Sequence, residues 1–222
     1  MDRIFDKVRI IPEHKPDDLS RSGTTIIGLT GGAGSGKSEV AAVFEELGLP
    51  VVYADRVGHE LLEDKEVMVA LRDAFQDTIF TGERVDRAKL RKRVFGDPEA
   101  RYILNRIVHP RMAQRIESWC RELAGHGHRI IIIDGALLCE DGCKTDFLDG
   151  LIVVDSDQEN RVERLVQKRG LTQQEAEMLV QAQADPKRKL TLADWIIENN
   201  RTLEDLRAAA RALVKEIAEY AR

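Results

Sequence analysis

No apolar run in this 222-residue chain approaches the ~18 residues that a membrane-spanning helix needs. No excess of one charge sign is present either. The 34 Lys and Arg stand against 39 Asp and Glu, and a net charge of −5 leaves no whole-chain footprint for nucleic acid or an anionic membrane. Met1 to Gly23 lacks a long apolar stretch and carries Asp2, Lys7, Glu13, Asp17 and Asp18, so it reads as a polar, partly disordered extension rather than a secretion leader. Cysteine is scarce and odd in number: Cys120, Cys139 and Cys143. Without a leader, such a set suggests reduced thiols and a cytoplasmic protein. Cys139 and Cys143 lie four apart, but zinc would need two more ligands at matching spacing, and the sequence offers none. The plain reading is small, buried or half-buried side chains. Internal repeats and low-complexity tracts are absent.

What the chain does contain is a series of short apolar runs rich in β-branched residues. They are Thr25–Thr30, Val51–Ala54, Ile130–Asp134, Leu151–Asp155 and Trp195–Glu198. None alternates with polar residues, as expected of strands covered on both faces. Helical patterns lie between them. Lys37–Leu47 sets Val40, Val43, Phe44 and Leu47 on one face. Asp97-Pro98 supplies an N-cap and a first-turn proline. Thr172 with Glu175, and Thr202 with Asp205, fit capping boxes, the second opening a last helix from about Leu203 to Tyr220. Trp195 and the methionines read as core. Alternating strands and helices predict an α/β fold, a doubly wound five-stranded parallel sheet. Two stretches break the alternation. Residues 56–123 are wholly helical in pattern, and 158–192 are helical and highly charged. The expected organisation is a polar extension over residues 1–24 and one domain over 25–222, with a helical substrate insertion at about 56–123 and a helical lid at about 161–192.

The strongest motif is Gly31-Gly-Ala-Gly-Ser-Gly36-Lys37-Ser38, which matches G-x-x-x-x-G-K-[ST] between the first strand and the first helix. Glycines let backbone N–H groups curl around a phosphate without a Cβ clash, and the following helix turns its positive end to the same point. The predicted nucleotide-binding residues are therefore Gly32, Ala33, Gly34, Ser35, Gly36, Lys37, Ser38 and Glu39. Lys37 reaches the β- and γ-phosphates, and Ser38 offers a hydroxyl to Mg²⁺. A GTPase would want an Asn-Lys-x-Asp element for guanine, which the chain lacks. A motor ATPase would want a paired acidic strand end, whereas Ile130–Asp134 ends in a single carboxylate.

Beyond the loop, a set of residues resembles the dephospho-CoA kinase family from about Ile26 to Tyr220. It comprises Ile27 to Ser38, Ala54-Asp55-Arg56-Val-Gly-His59-Glu60, His109-Pro110, Leu137-Leu138-Cys139-Glu140, Arg164, Arg169-Gly170, Gln183, Lys189, and Ala193 through Asn199. The resemblance implies a P-loop kinase fold using ATP and Mg²⁺. The implied reaction moves the γ-phosphoryl group of ATP to the ribose 3′-hydroxyl of dephospho-CoA, giving CoA and ADP, the last step of coenzyme A biosynthesis. It implies catalytic roles for Lys37, Asp55 and Arg169. It also implies a nucleotide contact from Asn199 and substrate contacts from Asp55, His109, Leu138, Glu140, Arg164 and Lys189. The expected partner is the small-molecule substrate, with neither nucleic acid nor membrane, for a monomer or weak homo-oligomer. The chain departs from the family pattern at Tyr53, Glu39, Ala136 and Leu179, where Asp, Thr, Pro and Arg are common.

The residues themselves leave alternatives. Asp55, at the end of the second strand, is either the base that accepts the hydroxyl proton or an N-cap of the next helix. Asp134 either orders Mg²⁺ through water or is structural. Arg164 and Arg169 either meet phosphoryl oxygens or line a solvated helix face. His109, just before a proline where a helix should end, either caps that helix or contacts substrate. Two rivals to the whole reading are a kinase for another small alcohol or nucleotide, and a relic that binds ATP and CoA-like ligands without turnover.

Overall fold

In a computed structural model of the chain, residues 14–139, 145–183 and 186–221 are described. The start of the polar extension, Cys143 and the candidate Glu140 lie outside them. The chain forms two compact units. One is the insertion Ala54–Ser118, and the other joins the chain leading up to Tyr53 to the chain from Trp119 onward.

The elements follow in chain order. Helix α1 (Asp17–Arg21) precedes β1 (Thr25–Gly31), α2 (Lys37–Glu46) and β2 (Val51–Tyr53). The insertion then supplies α3 (Ala54–Leu61), α4 (Lys65–Phe75), a 3₁₀ turn (Gln76–Ile79), β3 (Phe80–Thr81), β4 (Arg84–Val85), α5 (Arg87–Val94) and the long α6 (Pro98–Gly125). The chain closes with β5 (Ile130–Asp134), β6 (Gly150–Asp155), α7 (Gln158–Arg169), α8 (Gln173–Gln181), α9 (Pro186–Leu190), β7 (Trp195–Glu198) and α10 (Leu203–Tyr220). Strands β2, β5, β1, β6 and β7 lie in that order in one sheet, every neighbouring pair parallel. This is the doubly wound sheet expected from the β-branched runs.

The runs of β1, β5 and β6 are apolar throughout because both faces are covered there, whereas the edge strand β7, expected to be covered too, leaves Ile196 51% exposed. All seven residues of β1 are buried. Ile27, Leu29, Ile132, Ile152 and Val154 share a core with Val40, Val43 and Phe44 of α2 and with Leu206, Leu213 and Ile217 of α10. Leu47 does not complete the α2 stripe. The helix stops at Glu46, and Leu47 is 47% exposed. Met178 is 57% exposed and Trp195 only half-buried, so neither is the core residue expected, although Met112 is buried. Cys120 and Cys139 are buried. Both capping boxes form, at Thr172/Glu175 and Thr202/Asp205, and the Asp97 side chain accepts from the Ala100 amide at the start of α6.

Three local readings need correction. The described end of the extension is polar and mostly exposed but anchored at two points: Leu19 is buried, and Lys15 Nζ lies 2.7 Å from Asp149 Oδ2, an oxygen that also accepts from the Ile26 amide. The insertion is not wholly helical, because β3 and β4 pair as an antiparallel hairpin. The Arg72 guanidinium lies 4.1 Å from the centre of the Phe80 ring there. Third, α6 runs through Pro110 without a break. The proline removes one backbone donor, a cost of about 3 kcal/mol, yet the helix continues past it to Gly125, 28 residues in all. His109 sits inside it and is not a C-cap.

The register of β6 against β7 brings the Trp195 ring over Gly150, where an added Cβ would collide with it. Gly150→Ala should cost roughly 1–3 kcal/mol through overpacking. That predicts a lower urea midpoint with an unchanged m-value. Gly125→Ala, at a helical glycine with nothing within 4 Å of its added Cβ, should lose no stability.

Candidate functional site

In a parallel sheet, side chains that follow the strands gather at one edge, and ligands bind there. Here the glycine loop follows β1, Asp134 ends β5, Asp155 ends β6 with Ser156 just beyond, and Asn199 comes just after β7. These are the parts of the candidate site in the sheet-bearing unit.

The loop's geometry explains its residue types. Gly34 and Gly36 have φ of +78° and +98°, a region that disfavours side chains. A Cβ on Gly34 would stand 2.5 Å from the Arg161 carbonyl oxygen, and one on Gly36 would strike the Asn199 amide. Gly36 is also the N-cap of α2, so the helix begins at Lys37 with its positive end at the loop.

Three successive loop carbonyls are held from outside. Arg161 Nε donates to Ala33 O at 2.9 Å, Arg164 Nη1 to Gly34 O at 3.3 Å, and Asn199 Nδ2 to Ser35 O at 2.8 Å. Arg164 also bonds Ser156 Oγ at 2.9 Å and the Asn199 carbonyl at 2.8 Å. Arg164 and Asn199 had been expected to touch substrate and nucleotide. In the structure their donors go to the loop backbone and to one another. Arg161 and Ser156 escaped the sequence reading. The Arg161–Arg164 spacing, which puts both on one helix face, was the available signal, but it reads equally well as a solvated charged face.

Lys37 Nζ lies 2.5 Å from Asp134 Oδ1, with the two side chains 12% and 7% exposed. The loop lysine and the strand-end carboxylate thus form one nearly buried pair. Ser38, next in α2, is exposed. The Ser38 hydroxyl and the Asp134 carboxylate are hard oxygen donors of the kind Mg²⁺ takes, and Mg²⁺ needs few of them from a protein. Lys189 Nζ donates to the Ala136 carbonyl at 2.5 Å and lies 3.4 Å from Thr30 Oγ1, just past the ends of β5 and β1. That contact uses backbone at Ala136, so the absence of proline there does not touch it.

Other candidates are placed differently. Leu138 is only 1% exposed, and its side chain packs toward Gly28 of β1, so it can offer a ligand only backbone. Arg169 is the exposed last residue of α7, before Gly170 in the left-handed region. Tyr53 donates its hydroxyl to Glu45 Oε2 at 2.8 Å; burial and that carboxylate push the phenol's pKa up, keeping it neutral. Glu39 turns to Arg207 of α10, which also binds Glu46, and the two carboxylates raise the guanidinium's pKa further. In the other unit, Asp55 lies exposed in the first turn of α3, with no hydrogen-bond partner for its carboxylate among the described residues. His109 is half-buried within α6.

A five-stranded parallel sheet with a glycine loop between β1 and α2, and a loop lysine paired to the end of β5, defines a P-loop kinase. The chain belongs to the dephospho-CoA kinase family, whose profile matches residues 25–205. It is 40% identical to a dephospho-CoA kinase of Corynebacterium glutamicum over 193 residues, which cover 86% of this chain and 96% of that one. The Geobacillus kaustophilus dephospho-CoA kinase is 36% identical over 201 residues, covering 87% and 96%. A Thermus thermophilus crystal structure superposes with a TM-score of 0.73 at 34% identity, covering 87% of this chain and 97% of that one. The dephospho-CoA kinase of Campylobacter jejuni, at 24% identity and a TM-score of 0.60 over 88% and 98%, shares the fold.

The Glu39–Arg207 pair yields a prediction. With its charge already matched, Glu39→Thr should change the affinity for a non-hydrolysable ATP analogue less than twofold, roughly. Arg207→Ala, which leaves Glu39 unmatched near the anion site, should weaken it about three- to tenfold. Calorimetric titration of both variants and of their combination checks this. The double variant should bind like the wild type.

Proposed function

We propose that this chain transfers the γ-phosphoryl group of ATP to the ribose 3′-hydroxyl of dephospho-CoA, releasing ADP and CoA, the last step of coenzyme A biosynthesis. The observation that carries the reading is the braced glycine loop with Lys37 at the start of α2, paired to Asp134 at the end of β5, in a chain of this family. No helix among the described residues is long and apolar enough to cross a membrane.

Each residue has a role in this reading. The loop from Gly32 to Ser38 curls around the phosphates, with the Ala33 amide held by Gln183 and the Ser35 amide by the Gly32 carbonyl, and Lys37 meets the β- and γ-oxygens as they gather charge. Ser38 and Asp134 would hold Mg²⁺, which would supply neutralisation of the charge on the nucleotide phosphates. Asp55 orients the acceptor hydroxyl and takes its proton as the new O–P bond forms and the β–γ bridge breaks, the bridging oxygen leaving on ADP. Its exposure and its freedom from other hydrogen bonds among the described residues suit a group that must bond the acceptor. His109 and Lys189 contact the acceptor or its phosphates, and Arg169 reaches the transferring group when the tip of the α7–α8 hairpin closes as a lid.

Two experiments test this. The first measures ADP release with dephospho-CoA, adenosine and nucleoside monophosphates side by side. Dephospho-CoA should be strongly preferred, and a nucleotide acceptor turning over faster would replace the reading. In the same assay Lys37→Ala should remove nearly all turnover. Asp55→Asn should lower kcat by about 10²-fold while ATP binding stays unchanged, and a normal kcat would sink Asp55 as base. The second concerns the lid. Arg169→Ala should cut kcat on the order of 10²-fold with a smaller effect on substrate affinity. Amides around the Arg169–Thr172 turn should gain hydrogen-exchange protection with an ATP analogue plus dephospho-CoA, more than with either alone. Equal exchange with and without ligands would remove the lid.

A further inference from the structure

Arg161 is a buried charged side chain for which the mechanism above has no use. It is 5% exposed, yet it is in no ion pair among the described residues. Burial pushes its pKa down, and only the more distant attraction of Asp155 opposes that. Burying an unpaired cation costs several kcal/mol in general, so a residue kept there is expected to return something specific. Its contacts show what. Nε donates to Ala33 O at 2.9 Å, and Nη2 donates to the side-chain oxygen of Gln183, just past α8. The same Gln183 oxygen accepts from the Ala33 amide at 2.9 Å. The guanidinium lies against Gly32, where any Cβ would collide with it. The Ala33 methyl, meanwhile, packs on Val162, Leu165, Ala176 and Val180 of α7 and α8. One loop residue is therefore gripped through its N–H, its carbonyl and its side chain, all by the α7–α8 segment.

We propose that Arg161 is a positioning residue for the nucleotide: bridged to Gln183, it fixes the Ala33 peptide and so sets the shape of the phosphate loop from the base of the α7–α8 segment. The inference rests on the phosphotransfer reading above, but only on its nucleotide half. The segment's base moves with the loop, and closure is confined to its far end around Gly170. The charge of Arg161, in no ion pair among the described residues, also adds to the positive potential that the loop presents to an anion.

The test uses the full chain and calorimetry with a non-hydrolysable ATP analogue, with no acceptor present. Arg161→Ala should weaken the analogue about tenfold or more, and Gln183→Ala about threefold or more, with dephospho-CoA affinity within roughly twofold of wild type. Because both side chains act through one peptide, the double variant should be weaker than Arg161→Ala by less than the Gln183→Ala factor. Methylguanidinium should restore part of the affinity to Arg161→Ala and none to Gln183→Ala, a response that general loosening of the fold would not give. The proposal is overturned by folded single variants that bind the analogue within twofold of wild type, by independent multiplying losses, or by equal weakening of both ligands. If Arg161→Ala does not fold, Gln183→Ala decides alone by the same twofold criterion. A wild-type protein that binds the analogue but phosphorylates another alcohol would displace the proposed acceptor and leave this inference standing.

Discussion

A loop that presents N–H groups to a phosphate must send its carbonyls the other way, and buried carbonyls need donors. That constraint organises the sheet-bearing unit. The oxygens of Ala33, Gly34 and Ser35 are met in turn by Arg161, Arg164 and Asn199. These donors come from two places in the chain, the start of α7 and the end of β7, which the parallel sheet brings to one edge. The loop is thus held in shape by its surroundings. Its glycines are needed as much for the close approach of those donors as for their backbone freedom.

The charges follow the same economy. Lys37 is matched to Asp134, Glu39 to Arg207, and Arg164 has four acceptors within hydrogen-bonding reach. Near an anion site, an unmatched carboxylate would repel the ligand and an unmatched buried cation would be costly. Among the described residues Arg161, like Arg164, is in no ion pair and meets neutral acceptors instead, here against the loop itself. Arg169, by contrast, is exposed at the far end of α7.

The insertion obeys different rules. It is built from short helices capped by Asp64 and Asp86, each accepting two backbone amides, a hairpin of two-residue strands, and one long helix that crosses a proline. Local hydrogen bonds carry much of it, whereas the sheet-bearing unit depends on strands far apart in sequence. Ala54 opens this unit directly after β2 ends, and Asp55, the residue proposed as base, comes next in the chain.

Much of this was legible in the chain. A strand buried on both faces has to be apolar throughout, so the five β-branched runs marked the sheet to within a residue or two. Capping chemistry is equally local, and Thr172, Thr202 and Asp97 announced their helices. The glycine loop was unmistakable because few residue types fit so tight a backbone. What the sequence by itself determined is therefore whatever a residue and its near neighbours decide: strand, cap, turn and phosphate loop. The partners of charged side chains were decided only by the tertiary structure. Arg161, Arg164 and Arg169 look alike in sequence, yet one is buried against Ala33, one braces Gly34 and one is exposed. Leu138 looked like a contact residue and is core; Met178 looked like core and is exposed. A long side chain's role depends on which distant backbone the sheet order sets beside it, and no local pattern records that.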